Sequence, residues 1–300
     1  MGVTILEIIQ RSADFLGKKG VESPRLQVEL LLAHVLKMPR MNLYLNFERA
    51  VPAPEVETLR ELVRRRGQRE PLQYIIGSTS FCGLELAVNQ HVLVPRPETE
   101  LLAERAWTFL GKLPAEGEPC VLDLGTGSGC LAIALAVHAP HARVDATDIS
   151  NDALSTASQN ATLHKVVERI DFHQGDGFAA IRLERRFDLI VSNPPYIATG
   201  EIQNLQPEVR DYEPQLALDG GLDGLDFYRR IASEAVAFLR PGGRAMLELN
   251  DKGAQSVGEL FEEKGWEVEA IEPDYNRHPR IFIAHLATDS HDVAAHRGVD

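Results

Sequence analysis

The chain has 300 residues, of which 44% are hydrophobic and 25% are charged, a composition typical of a globular protein with a sizeable buried core. Because single cores stop growing near about 250 to 300 residues, this length predicts one domain of about 200 residues and a smaller one. The net charge is −13, from 31 basic and 44 acidic side chains, which disfavours a protein that binds along a nucleic-acid backbone. A protein or small-molecule substrate is favoured instead.

Signals for membranes, disulfides and metals are weak. No apolar run reaches the roughly 18 residues that a membrane helix needs, and the first residues lack the basic segment and apolar core of a signal peptide. We therefore expect a cytoplasmic protein with no membrane partner. Cys82, Cys120 and Cys130 are odd in number and widely spaced, so we expect buried, unreactive thiols and no metal site.

Residues 1–70 are predicted to form a small helical bundle. Apolar residues recur at near-helical spacing from Ile5, a second helix starts after Ser23, and a third runs from Pro54 to the sequence Arg64-Arg65-Arg66-Gly67. We interpret the arginine run as a solvated last helical turn at the negative end of the helix dipole rather than as a nucleic-acid site.

Residues 71–95 are predicted to be a β-hairpin linker, because Gln73–Ile76 and Phe81–Val88 cluster or alternate apolar residues around a turn at Gly77–Ser80. From 96 to 286, strand and helix patterns alternate, which predicts a mainly parallel, doubly wound α/β sheet of the Rossmann-like kind. The tail, 287–300, has no periodicity and is predicted to be disordered. The predicted strands are 120–124, 143–147, 169–173, 187–191, 244–249, 267–271 and 281–285, and the predicted helices between them are 131–137, 153–163, 227–239 and 254–264.

A glycine-rich turn follows the first of these strands, in the sequence from Asp123 to Gly129. Such turns expose backbone at the carboxyl end of a strand, where phosphates, dinucleotides and S-adenosylmethionine all bind. The glycines fall at every second residue, which departs from the dinucleotide fingerprint, and no Lys-Ser/Thr pair follows for a nucleotide phosphate. Asp123 also places a carboxylate where a pyrophosphate would be repelled and a cationic amino acid group would be favoured.

Acidic residues follow the next two strands. Asp148 ends the second strand about 20 residues past the glycine turn, which is where a carboxylate holds ribose hydroxyls in such folds. Asp176, Gly177 and Phe178 follow the third strand and could contribute a carboxylate and an aromatic ring near an adenine. Either aspartate on its own is also typical of a residue that caps a helix or turn.

The fourth strand, from Phe187 to Val191, runs into Asn193-Pro194-Pro195-Tyr196. Paired prolines fix the backbone direction and remove two donors, so the carbonyl oxygens remain free to accept hydrogen bonds. The Asn193 side-chain oxygen and the Pro194 carbonyl could then accept the two N–H bonds of a planar amide or aromatic amine and aim its nitrogen at a sulfonium methyl group. Tyr196 could lie against the planar group and favour a cationic transition state.

Four stretches of the chain resemble the HemK/PrmC family, the release-factor glutamine methyltransferases. They are Arg69–Tyr74, Val94–Glu100, Asp123–Gly129 and Ser192–Ile197, in the order that this family has them. Asn-Pro-Pro-Tyr alone is shared with adenine methyltransferases of DNA, whereas Pro-Arg-Pro-Glu-Thr-Glu ahead of the glycine turn is much more specific to the family.

The resemblance implies a class I methyltransferase domain, 96–286, with a small all-α amino-terminal domain for substrate recognition joined to it by the β-hairpin. It implies S-adenosylmethionine as cofactor, S-adenosylhomocysteine as product, and class-I peptide chain release factors as protein partners, methylated on the glutamine of their Gly-Gly-Gln loop. A monomer with no direct nucleic-acid contact is expected. The cofactor-binding residues implied are Asp123, Gly125, Thr126, Gly127, Ser128, Gly129, Asp148, Asp176, Gly177, Phe178 and Asn193. The implied catalytic residues are Asn193, Pro194 and Tyr196, and these bind the substrate together with Pro195.

Two departures from the family pattern and several alternatives remain. Gly177 is small where relatives often have a bulky residue, and Leu247–Asp251 replaces the Glu-x-Gly that is associated with that strand end. The same clamp would serve adenine methylation in DNA, which the acidic charge disfavours, or glutamine methylation of a ribosomal protein, which charge does not separate. A nucleotide-binding regulatory module or an oxidoreductase would have no use for the Asn-Pro-Pro-Tyr corner.

Overall fold

The computed structural model describes residues 2–114, 117–251 and 253–287, which divide into two compact units. The first, the helical unit, comprises residues 2–79, 88–90 and 204–213. The second, the sheet unit, comprises residues 80–87, 91–203 and 214–287 within the described ranges. Apart from Ala287, the tail predicted to be disordered lies outside the described residues. Within the described ranges, no helix has the length and apolar character required to cross a membrane.

The elements alternate as a doubly wound α/β fold requires. In chain order the α-helices are α1 (Ile5–Lys18), α2 (Pro24–Leu36), α3 (Arg40–Tyr44), α4 (Ala53–Gly67), α5 (Leu72–Ile76), α6 (Pro97–Leu110), α7 (Cys130–His138), α8 (Asn151–Leu163), α9 (Pro207–Tyr212), α10 (Asp226–Glu234) and α11 (Ala254–Glu262). The strands are β1 (Ser78–Phe81), β2 (Leu84–Ala87), β3 (Cys120–Leu124), β4 (Arg143–Asp148), β5 (Ile170–Gln174), β6 (Phe187–Ser192), β7 (Leu239–Glu248), β8 (Trp266–Pro273) and β9 (Pro279–Leu286).

The sheet unit is built on seven strands in the order β5-β4-β3-β6-β7-β9-β8. Strands β3 to β7 pair in parallel, and β9 pairs antiparallel with both β7 and β8. One face packs on an apolar cluster from α6 and α7, and the other on a cluster from α10 and α11. Because both faces are covered, the central strands β4, β3 and β6 are mostly buried, and all five residues of β3 are buried. The fold predicted from the sequence, an α/β sheet of class I methyltransferase type, is therefore confirmed.

The helical unit has its own core. Helix α1 starts with a capping box, in which the Thr4 hydroxyl accepts from the Glu7 amide and the Glu7 carboxylate accepts from the Thr4 amide. Such a box satisfies two amides that a helix start would otherwise leave unpaired. Buried residues of α1, α2 and α4, including Ile9, Leu32 and Leu59, then form one apolar cluster.

Two local predictions were wrong. Residues 73–76 were expected to form a strand, but they belong to helix α5, which starts after Pro71 and ends at Gly77 in the left-handed conformation. The hairpin is instead the tighter pair β1–β2, with Cys82 and Gly83 between the strands at φ of 50° and 76°. Positive φ at both central residues suits the right-handed twist of a two-residue hairpin turn. The helix expected over 227–239 ends at Glu234, and Leu239 already belongs to β7.

The interpretation of the arginine run as solvated was wrong for Arg66. Arg66 is only 3% exposed, and its guanidinium donates a hydrogen bond to the Glu208 carboxylate at 2.6 Å. Arg69 donates to the same carboxylate at 2.7 and 2.5 Å. Although burial raises the pKa of Glu208, the hydrogen bonds from Arg69 and Arg66 outweigh it and lower the pKa. Helix α9, which follows the fourth strand of the α/β pattern in sequence, is thus an integral part of the helical unit.

We expect Glu208→Ala to destabilise the protein by about 3 kcal/mol, because it leaves the buried Arg66 guanidinium without its charge partner. Glu61→Ala is the matched control, since its salt bridge to Arg64 joins side chains that are 54% and 55% exposed. Such an exposed pair is screened by solvent, so this control should unfold at nearly the same denaturant concentration as the parent. Denaturant unfolding of the full chain measures both, and equal effects of the two substitutions would contradict this account of the cluster.

Candidate active site

The glycine turn and the Asn-Pro-Pro-Tyr corner follow neighbouring strands. In the sheet order, β3 lies between β4 and β6, so the chain runs outward in one direction from β3 and in the other from β6. In open α/β sheets, ligands bind at such a reversal point, beyond the carboxyl ends of the strands. The Ser192 hydroxyl at the end of β6 donates to the Leu124 carbonyl of β3 at 2.7 Å. The structure therefore brings the two predicted motifs to one edge of the sheet.

The three glycines of the turn have different physical roles. Gly125, Gly127 and Gly129 have φ of 72°, 56° and 80°, values that side chains disfavour. A Cβ atom at Gly125 or Gly127 would meet no atom within 4 Å, whereas one at Gly129 would lie 3.0 Å from Ala157 Cβ and Ile133 Cδ1. The first two glycines therefore border open space, and Gly129 allows close packing between α7 and α8.

Asp123 is fully buried, and its side chain binds the glycine turn from the interior of the fold. Its Oδ2 accepts from the Thr126 hydroxyl at 2.7 Å and from the Ala132 amide at 3.2 Å. Within the described residues, Asp123 Oδ1 and Thr147 Oγ1 are buried at this edge with no hydrogen-bond partner. Burial raises the pKa of Asp123 to about 7, against the opposing effect of the two hydrogen bonds. Asp123 therefore shapes the turn, and it is not an exposed carboxylate facing a ligand.

Asp148 lies at the end of β4 and uses both carboxylate oxygens. Oδ2 accepts from the Gly127 amide at 2.9 Å, and Oδ1 accepts from the Ser150 amide, also at 2.9 Å. Burial raises the pKa of Asp148, although these backbone hydrogen bonds oppose the shift. The contact with Gly127 places Asp148 beside the glycine turn, as the sequence led us to expect, while the contact with Ser150 is of the local capping kind.

Asp176, Gly177 and Phe178 are not brought to the turn in the same way. Asp176 forms a salt bridge with Arg230 at 2.6 Å, and a Cβ atom at Gly177 would lie 3.0 Å from the same guanidinium. Phe178 is 4% exposed and stacks on Phe238 in the core, with ring centroids 5.1 Å apart. The Phe178 ring therefore belongs to the core, and the expectation that it packs against an adenine does not fit its position.

The corner is held by hydrogen bonds to two residues that sequence reasoning did not select. Asn193 Nδ2 donates to the Thr99 hydroxyl at 3.1 Å, and this hydroxyl donates to Glu248 Oε2 at 2.6 Å. The Tyr196 hydroxyl donates to the other oxygen, Oε1, at 3.3 Å. Burial raises the pKa of Tyr196, and the nearby Glu248 carboxylate adds to that effect. Asn193 and Tyr196 are thus attached to one buried carboxylate.

Two further glycines support the backbone of the corner. A Cβ atom at Gly220 would lie 2.8 Å from the Pro195 carbonyl oxygen, and one at Gly224 would lie 2.5 Å from the Tyr196 carbonyl oxygen. Gly224 also has a φ of 78°. Only glycine allows this approach, so the Asp219-Gly220-Gly221-Leu222-Asp223-Gly224 sequence was an available signal that sequence reasoning did not use. Thr99 lies within the Pro-Glu-Thr-Glu stretch that was used for the resemblance.

The residues at the glycine turn fit S-adenosylmethionine. Gly125 and Gly127 leave space beside exposed backbone, and the Asp148 carboxylate lies beside Gly127, from whose amide it accepts a hydrogen bond. A ligand that carries a positive charge is favoured beside this carboxylate over a pyrophosphate. The parallel sheet with this turn at its reversal point defines the protein as a class I S-adenosylmethionine-dependent methyltransferase.

Comparison with known proteins narrows this class. Residues 7–77 match the PrmC N-terminal domain family, and residues 105–209 match the methyltransferase small domain family. The release factor glutamine methyltransferase of Geobacter sulfurreducens is 45% identical over 263 residues, which cover 88% of this chain and 90% of that protein. The enzyme of the same name from Chlorobaculum tepidum is 43% identical, covering 91% of this chain and 94% of its own. This chain therefore belongs to the release factor glutamine methyltransferase family.

Among solved structures, the hMettl16 catalytic domain in complex with a 3'UTR hairpin has a TM-score of 0.52. It is 16% identical and covers 79% of this chain and 83% of its own. At that identity the likeness concerns the fold alone, and it supports the α/β fold described above.

We expect Gly127→Ala to weaken S-adenosylhomocysteine binding by at least about tenfold, because the methyl group would enter the space beside the turn. Gly265→Ala is the matched control, since Gly265 has a φ of 83° and equally open surroundings but lies in the turn before β8. Both variants should lose about 1 kcal/mol of stability from backbone strain. Calorimetric titration separates them, and wild-type affinity in Gly127→Ala would place the ligand elsewhere.

Proposed function

We propose that this protein transfers the methyl group of S-adenosylmethionine to the side-chain amide nitrogen of the glutamine in the Gly-Gly-Gln motif of class-I peptide chain release factors. The observation that carries the proposal is the hydrogen bond from Asn193 Nδ2 to Thr99, beside the glycine turn. It commits the amide nitrogen of Asn193 and leaves its oxygen as the group that can accept from a substrate amide. The names of the Geobacter sulfurreducens and Chlorobaculum tepidum relatives support this choice of substrate.

The corner can orient an amide nitrogen for attack, which a free carboxamide group does not achieve by itself. The lone pair of a carboxamide nitrogen is delocalised into its carbonyl, so the group reacts only when its orientation favours attack. In our proposal, Asn193 Oδ1 and the Pro194 carbonyl accept the two N–H bonds of the substrate glutamine and direct its nitrogen toward the glycine turn. The Tyr196 ring packs beside the planar amide, and Pro195 keeps the backbone of the corner rigid.

When bound, S-adenosylmethionine would supply an electrophilic methyl group on a sulfonium, with the neutral thioether S-adenosylhomocysteine as the leaving group. The new N–C bond forms as the C–S bond breaks, and the substrate amide then loses one proton to solvent. Asn193 and Pro194 accept hydrogen bonds that strengthen as positive charge develops on the nitrogen, so they favour the transition state over the ground state. Asp148 and the glycines of the turn would hold the cofactor beside the corner.

We further propose that the protein acts in the cytoplasm as a monomer and does not bind nucleic acid directly. The acidic balance of 31 basic against 44 acidic side chains supports the last point, because nucleic-acid binding depends on basic groups that displace counterions. Residues 1–70 are proposed to recognise the release factor, and residues 96–286 are proposed to carry out the methyl transfer.

The direct test is incubation of the full chain with labelled S-adenosylmethionine and a purified class-I release factor, followed by mass spectrometry of the Gly-Gly-Gln peptide. We expect that peptide to gain one methyl group on the glutamine side chain. A release factor with glutamate in place of that glutamine is the control, since it lacks the amide nitrogen. Duplex DNA and a ribosomal protein preparation are offered in parallel, and methylation of either one without the release factor would overturn the proposal.

We expect Asn193→Ala to bind S-adenosylhomocysteine nearly as tightly as the parent but to lose about 2 to 4 kcal/mol of transition-state stabilisation, roughly 30- to 800-fold in turnover. The reason is that the substrate amide loses one acceptor, while the glycine turn keeps its contacts. Turnover on the release factor and calorimetry with S-adenosylhomocysteine measure the two quantities. A variant that turns over normally would show that Asn193 does not orient the acceptor.

A further inference from the structure

Glu248 is a buried carboxylate with no place in the mechanism above. It ends strand β7, is 1% exposed, and accepts from the hydroxyls of Thr99 at 2.6 Å and Tyr196 at 3.3 Å. Its own backbone carbonyl accepts from the Tyr228 hydroxyl at 2.7 Å. Burying a carboxylate is unfavourable unless hydrogen bonds compensate for the lost solvation. We therefore asked what the hydrogen bonds of Glu248 do for the neighbouring residues.

The hydrogen bonds from Thr99 to Glu248 and from Asn193 to Thr99 determine the orientation of the Asn193 side chain. A hydroxyl has one proton, and the Thr99 hydroxyl uses it to donate a hydrogen bond to Glu248 Oε2. Thr99 Oγ1 can therefore only accept from Asn193, which fixes the Asn193 amide with Nδ2 toward Thr99 and Oδ1 left for the substrate. If Glu248 were protonated and donated to Thr99, the threonine proton would turn to Asn193 and favour the opposite amide orientation. A substrate NH₂ group would then meet another NH₂ group.

We propose that Glu248 is a positioning residue, which through Thr99 sets the orientation of the Asn193 amide and through Tyr196 holds the adjacent ring. This inference rests on the proposed function, because it assigns how the acceptor clamp of that reaction is kept in its accepting orientation. Neither Glu248 nor Thr99 touches the reacting atoms. The ionised carboxylate is the active form, and its effect on turnover passes through one hydroxyl group.

Burial and the charged groups around Glu248 bring the titration of its carboxyl close to neutral pH. Burial, with a smaller contribution from the Glu98 carboxylate on α6, raises the pKa of Glu248 to about 7. The Thr99 and Tyr196 hydrogen bonds and the Arg280 guanidinium on β9 oppose that rise, and Tyr228 faces Glu248 from α10. Since the ionised form is the one that keeps Asn193 accepting, turnover should fall as the pH drops through about 7.

The first experiment removes the hydroxyl relay. In Thr99→Val, turnover on the release factor should fall by about 10- to 100-fold while the KM for S-adenosylmethionine changes less than about twofold, because only the acceptor is misplaced. Thr99→Ser keeps the hydroxyl and should recover most of that loss. Thr156→Val is the matched control, since Thr156 is a 3% exposed threonine of α8 in the same unit, and it should leave turnover unchanged. Equal turnover in Thr99→Val and the parent, or no recovery in Thr99→Ser, would overturn the proposal.

The second experiment removes the titration. Turnover of the parent and of Glu248→Gln is measured from about pH 6 to about pH 8.5, with S-adenosylhomocysteine affinity and thermal unfolding followed at each pH. The parent should lose turnover on the acid side, and Glu248→Gln should show a flat profile there. An unchanged acid limb in Glu248→Gln would assign the titration to another group and overturn the role of Glu248. Absence of release-factor methylation by the parent would instead overturn the proposed function, so the two failures are distinguishable.

Discussion

The parallel pairing of β3 with β6 is the constraint on which the site depends. Leu122 pairs with Ile190 and Asp123 with Val191, so the two strands end side by side. Side chains on both faces of these strands are packed into apolar clusters, and a slip of one residue would move every side chain to the opposite face. Core packing therefore fixes where the glycine turn and the Asn-Pro-Pro-Tyr corner begin, before any ligand is bound.

Each of these two motifs is then held by a buried carboxylate that is costly to bury. Asp123 holds the glycine turn through the Thr126 hydroxyl, and Glu248 attaches the corner through two hydroxyls. Burial raises the pKa of both carboxyls to about 7, because the charged form of each group is poorly solvated in the interior. These two carboxylates lower the stability of the fold, but their hydrogen bonds fix the positions of the glycine turn and the corner. Enzymes commonly show such a relation between stability and function.

The sequence allowed the sheet and the two motifs to be predicted because their signals are local. A buried strand such as Cys120–Leu124 is a short apolar run, and glycines or paired prolines mark the turn that follows it. Arg66, Phe178 and Glu248 could not be placed, because their partners are distant in the chain: Arg66 bonds Glu208 across 142 residues, and Glu248 bonds Thr99 across 149. Helix α5 was missed because five apolar and polar residues fit a strand equally well, and only Pro71 and Gly77 at its ends decide the outcome.

The excursion that follows the corner is closed at its base within the sheet unit. The Ile197 amide donates to the Leu218 carbonyl at 3.0 Å, and the Gly220 amide donates to the Ile197 carbonyl at 2.8 Å. Between these anchors, residues 204–213 belong to the helical unit, where Glu208 binds two arginines. The geometry of the Asn-Pro-Pro-Tyr corner is therefore held within the sheet unit, by these backbone hydrogen bonds, by Glu248 and by the nearby glycines.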